Sequence, residues 1–127
     1  MDFIKDIKRA IESLPFDKRA NAQVFHQAVI DELEWLGCKT WREVPARYTR
    51  RRGERCNGRI DVLAAKYDLR IGIECDRNSP RRKSVDKLRG LGWLTHRFVA
   101  LREPNAGTTG LVSVSRSASD RQFAESA

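Results

Sequence analysis

The chain has 127 residues, 40% hydrophobic and 33% charged, with a formal net charge of +8 and a sequence pI near 9.9. That length suits one soluble domain with a real core. The composition excludes disorder, no apolar run approaches the ~20 residues of a membrane span, and no secretory leader is expected at the start. The basic excess points to a polyanionic partner, nucleic acid above all.

Residues 1–14 are the first expected helix, with Phe3, Ile4, Ile7, Ile11 and Leu14 on one face and Pro15 ending it. A second helix is expected over 21–36. Asn21 is its N-cap, Val24, Phe25, Ala28, Val29, Leu33 and Leu36 repeat at helical spacing, and Gly37 is the stop. His26 on this helix reads as a surface or half-buried residue. A strand is expected over 40–44, broken by Pro45. An arginine-rich loop follows, with Arg47, Arg50, Arg51, Arg52, Arg55 and Arg59 around Tyr48. Strands over 59–65 and 69–75, joined by Lys66-Tyr67-Asp68, read as an antiparallel hairpin.

Ser79 and Pro80 read as the N-cap and first residue of a basic helix reaching about Leu91. Strands are expected over 97–101 and 111–114, and 115–127 is expected as a flexible polar tail, leaving a single domain over 1–114. Trp35, Trp41 and Trp93 read as core or interface residues. Cys38, Cys56 and Cys75 show no C-x-x-C spacing, and their odd number argues for a reducing, cytoplasmic setting. Cys75 is expected to pack as a small hydrophobe. The element order α, α, β, β, β, α, β predicts an α/β fold with a mixed central sheet flanked by helices.

The unusual feature is acid inside β-branched runs. Asp61 stands between Ile60 and Val62, Glu74 follows Ile73, and Asp76 follows Cys75. Carboxylates there are costly to bury without a cation. Neighbouring strands lie ~4.8 Å apart, so the hairpin can bring Asp61 and Glu74 to one ion. Glu74 and Asp76 are two apart and share a face, and Glu43 can add a further oxygen. Such a cluster suits Mg²⁺ or Mn²⁺. Arg50, Arg51, Arg52, Arg55 and Arg59 flank it on one side in sequence, and Arg77, Arg81 and Arg82 on the other, as phosphate-holding cations. A solvated charged loop is the plainer reading of the same arginines.

The series of a helix, Glu43 in one strand, Gly58-Arg59-Ile60-Asp61 in the next and Ile73-Glu74-Cys75-Asp76 in the third resembles the PD-(D/E)xK nuclease superfamily, to which restriction endonucleases and Holliday-junction resolvases belong. Ser84-Val85-Asp86-Lys87-Leu88 resembles the S-x-x-K-L helix of several small members. The resemblance covers about 21–101 and implies a restriction-endonuclease-like αβββαβ core with an extra N-terminal helix. It implies Asp61 and Glu74 as catalytic metal-binding acids and Glu43 as the additional metal-binding acid, with Glu32 and Gln27 as weaker candidates. Gly58 stands where the family often has proline or glycine. The family's lysine position holds Asp76, expected as a catalytic residue that assists or replaces the lysine's task, and Lys83, with Lys87 second, is the expected migrated lysine. The implied activity is Mg²⁺- or Mn²⁺-dependent hydrolysis of phosphodiester bonds in DNA. The alternative is a catalytically inactive nucleic-acid-binding protein on the same scaffold. A homodimer would let two sites cut both strands, and no residue establishes one.

Overall fold

In a computed structural model that describes residues 2–50 and 53–116, three helices precede the sheet. α1 (Phe3–Glu12) starts at Asp2, whose carboxylate accepts from the N–H groups of Ile4 and Lys5, and it buries Ile7 and Ile11. A one-turn helix that the sequence did not announce, α2 (Phe16–Arg19), follows Pro15. Its Arg19 is buried and donates to the carbonyls of Ile11 and Glu12 at 2.6 and 3.0 Å. A cation thereby closes the carbonyl end of α1. α3 (Ala22–Trp35) is capped by Asn21 and buries Phe25, Ala28, Val29, Ile30 and Leu33. Gly37, at φ +91°, turns the chain out of it.

β1 (Lys39–Thr49), β2 (Arg55–Lys66), β3 (Leu69–Asp76), β4 (His96–Leu101) and β5 (Leu111–Ser113) lie side by side in chain order. All neighbours are antiparallel except β3 and β4, which are parallel and joined through α4 (Arg82–Arg89). The sheet is therefore mixed, as expected. α1 and α3 cover one face, packing Ile7, Ile11, Phe25, Val29 and Leu33 against Val62, Ile71, Ile73 and Phe98. On the other face Leu88 of α4, with Leu91 and Leu94 beyond its end, packs against Tyr48, Ile60, Val99 and Leu101. Each fully buried side chain of this size contributes about 1.5–3 kcal/mol. Among the described residues no helix is long and apolar enough to cross a membrane.

Several boundaries depart from expectation. β1 does not stop at Pro45 but runs to Thr49, and its pairing with β2 reaches Thr49 opposite Arg55. β1 is an edge strand, where proline's missing N–H can face away from the ladder. The expected arginine loop is thus largely a paired hairpin arm. Ser79 and Pro80 do not start α4. Its N-cap is Arg81, and the Asp76 carboxylate at the end of β3 accepts from the Arg81 backbone N–H at 2.8 Å. Trp35, Trp41 and Trp93 are exposed (85%, 46% and 47%) rather than core. Arg51, Arg52 and residues 117–127 of the expected tail lie outside the described residues.

Candidate functional site

The site is built where β2 and β3 part. Their pairing runs from Lys66 opposite Leu69 to Val62 opposite Ile73 and ends there. At the next position side chains replace the ladder. The Asp61 N–H donates to Glu74 Oε2 at 2.8 Å, and the Cys75 N–H donates to Asp61 Oδ2 at 2.8 Å. Each acid satisfies a backbone donor of the opposite strand, which is how both are tolerated inside apolar runs.

The alternation of both hairpin strands slips at the same level. Val44, Ala46 and Tyr48 of β1 and Ile60 of β2 pack on the α4 side, whereas Val62 and Ala64 pack on the α1/α3 side. Register is unchanged across the slip, with Arg42 opposite Val62 and Val44 opposite Ile60. Glu43 and Asp61 are the residues between. Glu43 adopts φ +52°, a left-handed conformation uncommon for a non-glycine and held only where surrounding structure enforces it. The slip turns the Asp61 carboxylate toward α3, where His26 Nε2 stands 3.6 Å from Asp61 Oδ2.

Glu74 and Asp76 stay on the α4 side. Glu74 Oε1 meets Lys87 Nζ at 2.5 Å, and Lys87 Nζ also donates to the Arg59 carbonyl at 2.6 Å. Asp76 Oδ1 accepts from Arg81 Nε at 2.9 Å and from Ser84 Oγ at 3.1 Å. Glu74 and Asp76 share the α4 face, as their spacing predicts, whereas Asp61, expected to join Glu74, points to α3. Lys83, the first choice for the migrated lysine, is exposed, and Lys87 is the lysine that reaches Glu74. Asp76 is bound up in holding the start of α4.

Beside the fork opens a cleft of about 610 Å³, at the carboxyl ends of the parallel strands β3 and β4. Open α/β sheets bind ligands at that end. Ala22, Gln23, Phe25 and His26 of α3, Arg42 and Glu43 of β1, Cys75 and Asp76 of β3, and Arg77, Arg81 and Arg102 line it. The arginines are anchored by partial contacts: Arg42 to Gln27 Oε1 at 3.1 Å, Arg77 to Glu103 Oε2 at 2.9 Å and Arg102 to the Ala20 carbonyl at 3.0 Å. A guanidinium has five donors, so each keeps several for an anion. Of the expected phosphate contacts, Arg77 and Arg81 are in the cleft. Exposed Arg55 and Arg59 sit on the β1–β2 arm and exposed Arg82 begins α4, all outside the lining, and Arg50 closes the hairpin turn with Glu54. Arg42 and Arg102 were missed, because only strand register and the β3–β4 crossover bring them here.

Burial, then the negative Asp61 nearby, push the Glu74 carboxyl above the usual range, and Lys87 only partly opposes this. For Asp61 burial also acts upward. The contacts with His26 and the Cys75 N–H and the charge of Lys87 outweigh it, and its pKa is lowered. His26 is raised, chiefly by the Asp61 carboxylate. Burial pushes the Cys75 thiol well up, and the carboxylates of Asp61, Glu74 and Asp76 add to it. The two carboxylates lie close enough for Asp61 to raise Glu74, though Glu74 already meets Lys87 and Asp61 meets His26. Their hard oxygens fit Mg²⁺, which takes one or two carboxylates and fills its remaining positions with water and substrate phosphate. Glu43 is exposed at the cleft opposite Asp61, and the close grouping among the described residues is not Glu43, Asp61 and Glu74 but His26, Asp61 and Cys75, whose ligand atoms lie within 4.8 Å of one another.

No family model matches the chain, and no curated protein does. Among solved structures, the crystal structure of a protein of unknown function, AF1548, is similar with a TM-score of 0.46 and 18% identity, over 80% of this chain. This chain spans about half of that one (51%).

Proposed function

We propose that the protein is a metal-dependent nuclease of the restriction-endonuclease-like kind, hydrolysing phosphodiester bonds in DNA at the β2–β3 fork. The observation that carries the reading is the reciprocal bracing of Asp61 and Glu74 at the point where two strands separate, with Lys87 on Glu74 and an arginine-lined cleft beside them. Arg42, Arg77, Arg81 and Arg102 suit the phosphodiester backbone, which they would hold without reading sequence. Lys87 supplies the cation that Asp76 cannot supply from the strand. Its ammonium donates to Glu74 and would favour that carboxyl's ionised form against burial. Mg²⁺ held by Asp61 would orient the attacking water and offset charge on the phosphoryl oxygens, with Glu74 joining once its carboxylate leaves the Asp61 N–H and Lys87. The experiment is nicking of supercoiled plasmid with Mg²⁺ or Mn²⁺. Asp61→Asn is expected to reduce cleavage at least about 100-fold, the scale of losing a group that stabilises transition-state charge. Equal cleavage by wild type and Asp61→Asn would assign the activity to a contaminant.

One observation favours the second reading, a non-catalytic nucleic-acid-binding protein: Asp76 at the usual lysine position is committed to Arg81 and Ser84. That reading expects salt-dependent binding of DNA with no metal requirement.

A further inference from the structure

Beside the cleft stands a donor set of which the nuclease reading uses Asp61 alone. His26 from α3, Asp61 from β2 and Cys75 from β3 bring a ring nitrogen, a carboxylate oxygen and a thiol sulfur within 4.8 Å of one another. Ligands at about 2.0–2.3 Å from a tetrahedral ion stand about 3.3–3.8 Å apart. The 3.6 Å between His26 Nε2 and Asp61 Oδ2 lies in that range, and the set as a whole, within 4.8 Å, would draw in by up to about 1 Å on an ion. Mg²⁺ has no use for a thiol, whereas imidazole, carboxylate and thiolate together suit Zn²⁺ or Co²⁺. His26 and Cys75 both line the cleft, which leaves a fourth position on the open side. Three protein ligands with one open position is the arrangement of reactive rather than purely structural zinc sites. The carboxylates of Asp61, Glu74 and Asp76 surround Cys75 and attract a divalent ion, and that ion has to offset the burial and negative charge that hold the thiol protonated.

We propose that His26, Asp61 and Cys75 form a site for Zn²⁺ or a similar borderline-soft divalent ion, with its fourth coordination position open to the cleft. As the metal–sulfur bond forms, the Cys75 thiol releases its proton to solvent, and His26 binds as the neutral ring. The site shares Asp61 with the proposed nuclease centre but does not depend on cleavage. The local sequence hides it, because its ligands come from three elements and show no metal-binding spacing.

The test is a Co²⁺ titration of the full chain, kept reduced with a non-thiol reductant and followed by absorption. A thiolate-to-cobalt band in the near ultraviolet, saturating at about one equivalent and bleached by Zn²⁺, is expected. Cys75→Ser should abolish that band, Cys56→Ser should leave it, and His26→Asn should weaken Co²⁺ binding at least about tenfold. A wild type with no such band at saturating Co²⁺, or a band that survives Cys75→Ser, overturns the proposal. Should Cys75→Ser not fold, His26→Asn decides, since the His26 side chain, 21% exposed, stands outside the apolar core: unchanged affinity overturns the site. DNA is absent throughout, so failure here is separate from failure of the nuclease reading.

Discussion

Lys87 and Glu74 are buried together, with 8% and 1% of their side-chain surfaces exposed. Removing one partner strands the other as a buried charge, at about 3–5 kcal/mol. Lys87→Met should therefore lower the unfolding free energy by that order in urea denaturation, and adding Glu74→Gln should recover most of it. A Lys87→Met protein as stable as wild type would show that water, not lysine, satisfies Glu74. His96 gives a pH signature. Burial, helped by Arg97 and Lys8 against Asp2, holds its pKa below the ordinary value, and its ring stacks beside Phe98. The unfolded chain then takes up the proton more readily, so stability is intact above about pH 6.5 and falls as pH drops below it. In His96→Gln this component disappears, so the variant should gain on wild type in melting temperature as pH falls through that range. At this scale the sequence was legible where burial makes a residue conspicuous. Asp61 and Glu74 stood out as acids in β-branched runs. Lys83 and Lys87 lie one helical turn apart on the same face, and only the seating of α4 on the sheet separates them.

The strands show why edges were harder to read than helices. Capping residues marked α3 nearly to the residue, since Asn21 and Gly37 begin and end it locally, whereas the Asp2 cap of α1 went unread and that helix is shorter than the expected 1–14. Pro45 suggested a break because nothing local reveals that β1 is an edge, and the arginines masked the alternation of Val44, Ala46 and Tyr48 on the buried side. The face slip at Glu43 and Asp61 leaves no pattern in either strand alone, so the turn of Asp61 toward α3 was invisible. Close packing of β3 on the turn after α4 is testable. A Cβ at Gly72 would meet Leu94 Cδ1 at 2.7 Å and Leu88 Cδ2 at 3.2 Å. Both leucines are buried and cannot yield freely. Gly72→Ala is expected to cost about 1–3 kcal/mol through overpacking, read as a lower urea midpoint with an unchanged slope.

Across the molecule, a net charge of +8 is not spread evenly. Arg42, Arg77, Arg81 and Arg102 converge on the cleft, and exposed Arg55 and Arg59 extend along the neighbouring hairpin arm. Polyanion binding should weaken steeply with salt, and Arg42→Gln should lower the slope of log K against log salt by about 1, equally for every DNA sequence. The mixed sheet and its flanking helices followed from the order of apolar periods. The cleft did not, because its lining comes from segments far apart in the chain. Binding and cleavage can be followed together on one labelled DNA duplex, first without metal and then with Mg²⁺ or Mn²⁺. A nuclease at the β2–β3 fork binds in both conditions, gives product only with metal, and gives none as Glu74→Gln while still binding. Undiminished binding with no product under either metal would contradict the nuclease and leave a protein that only holds nucleic acid.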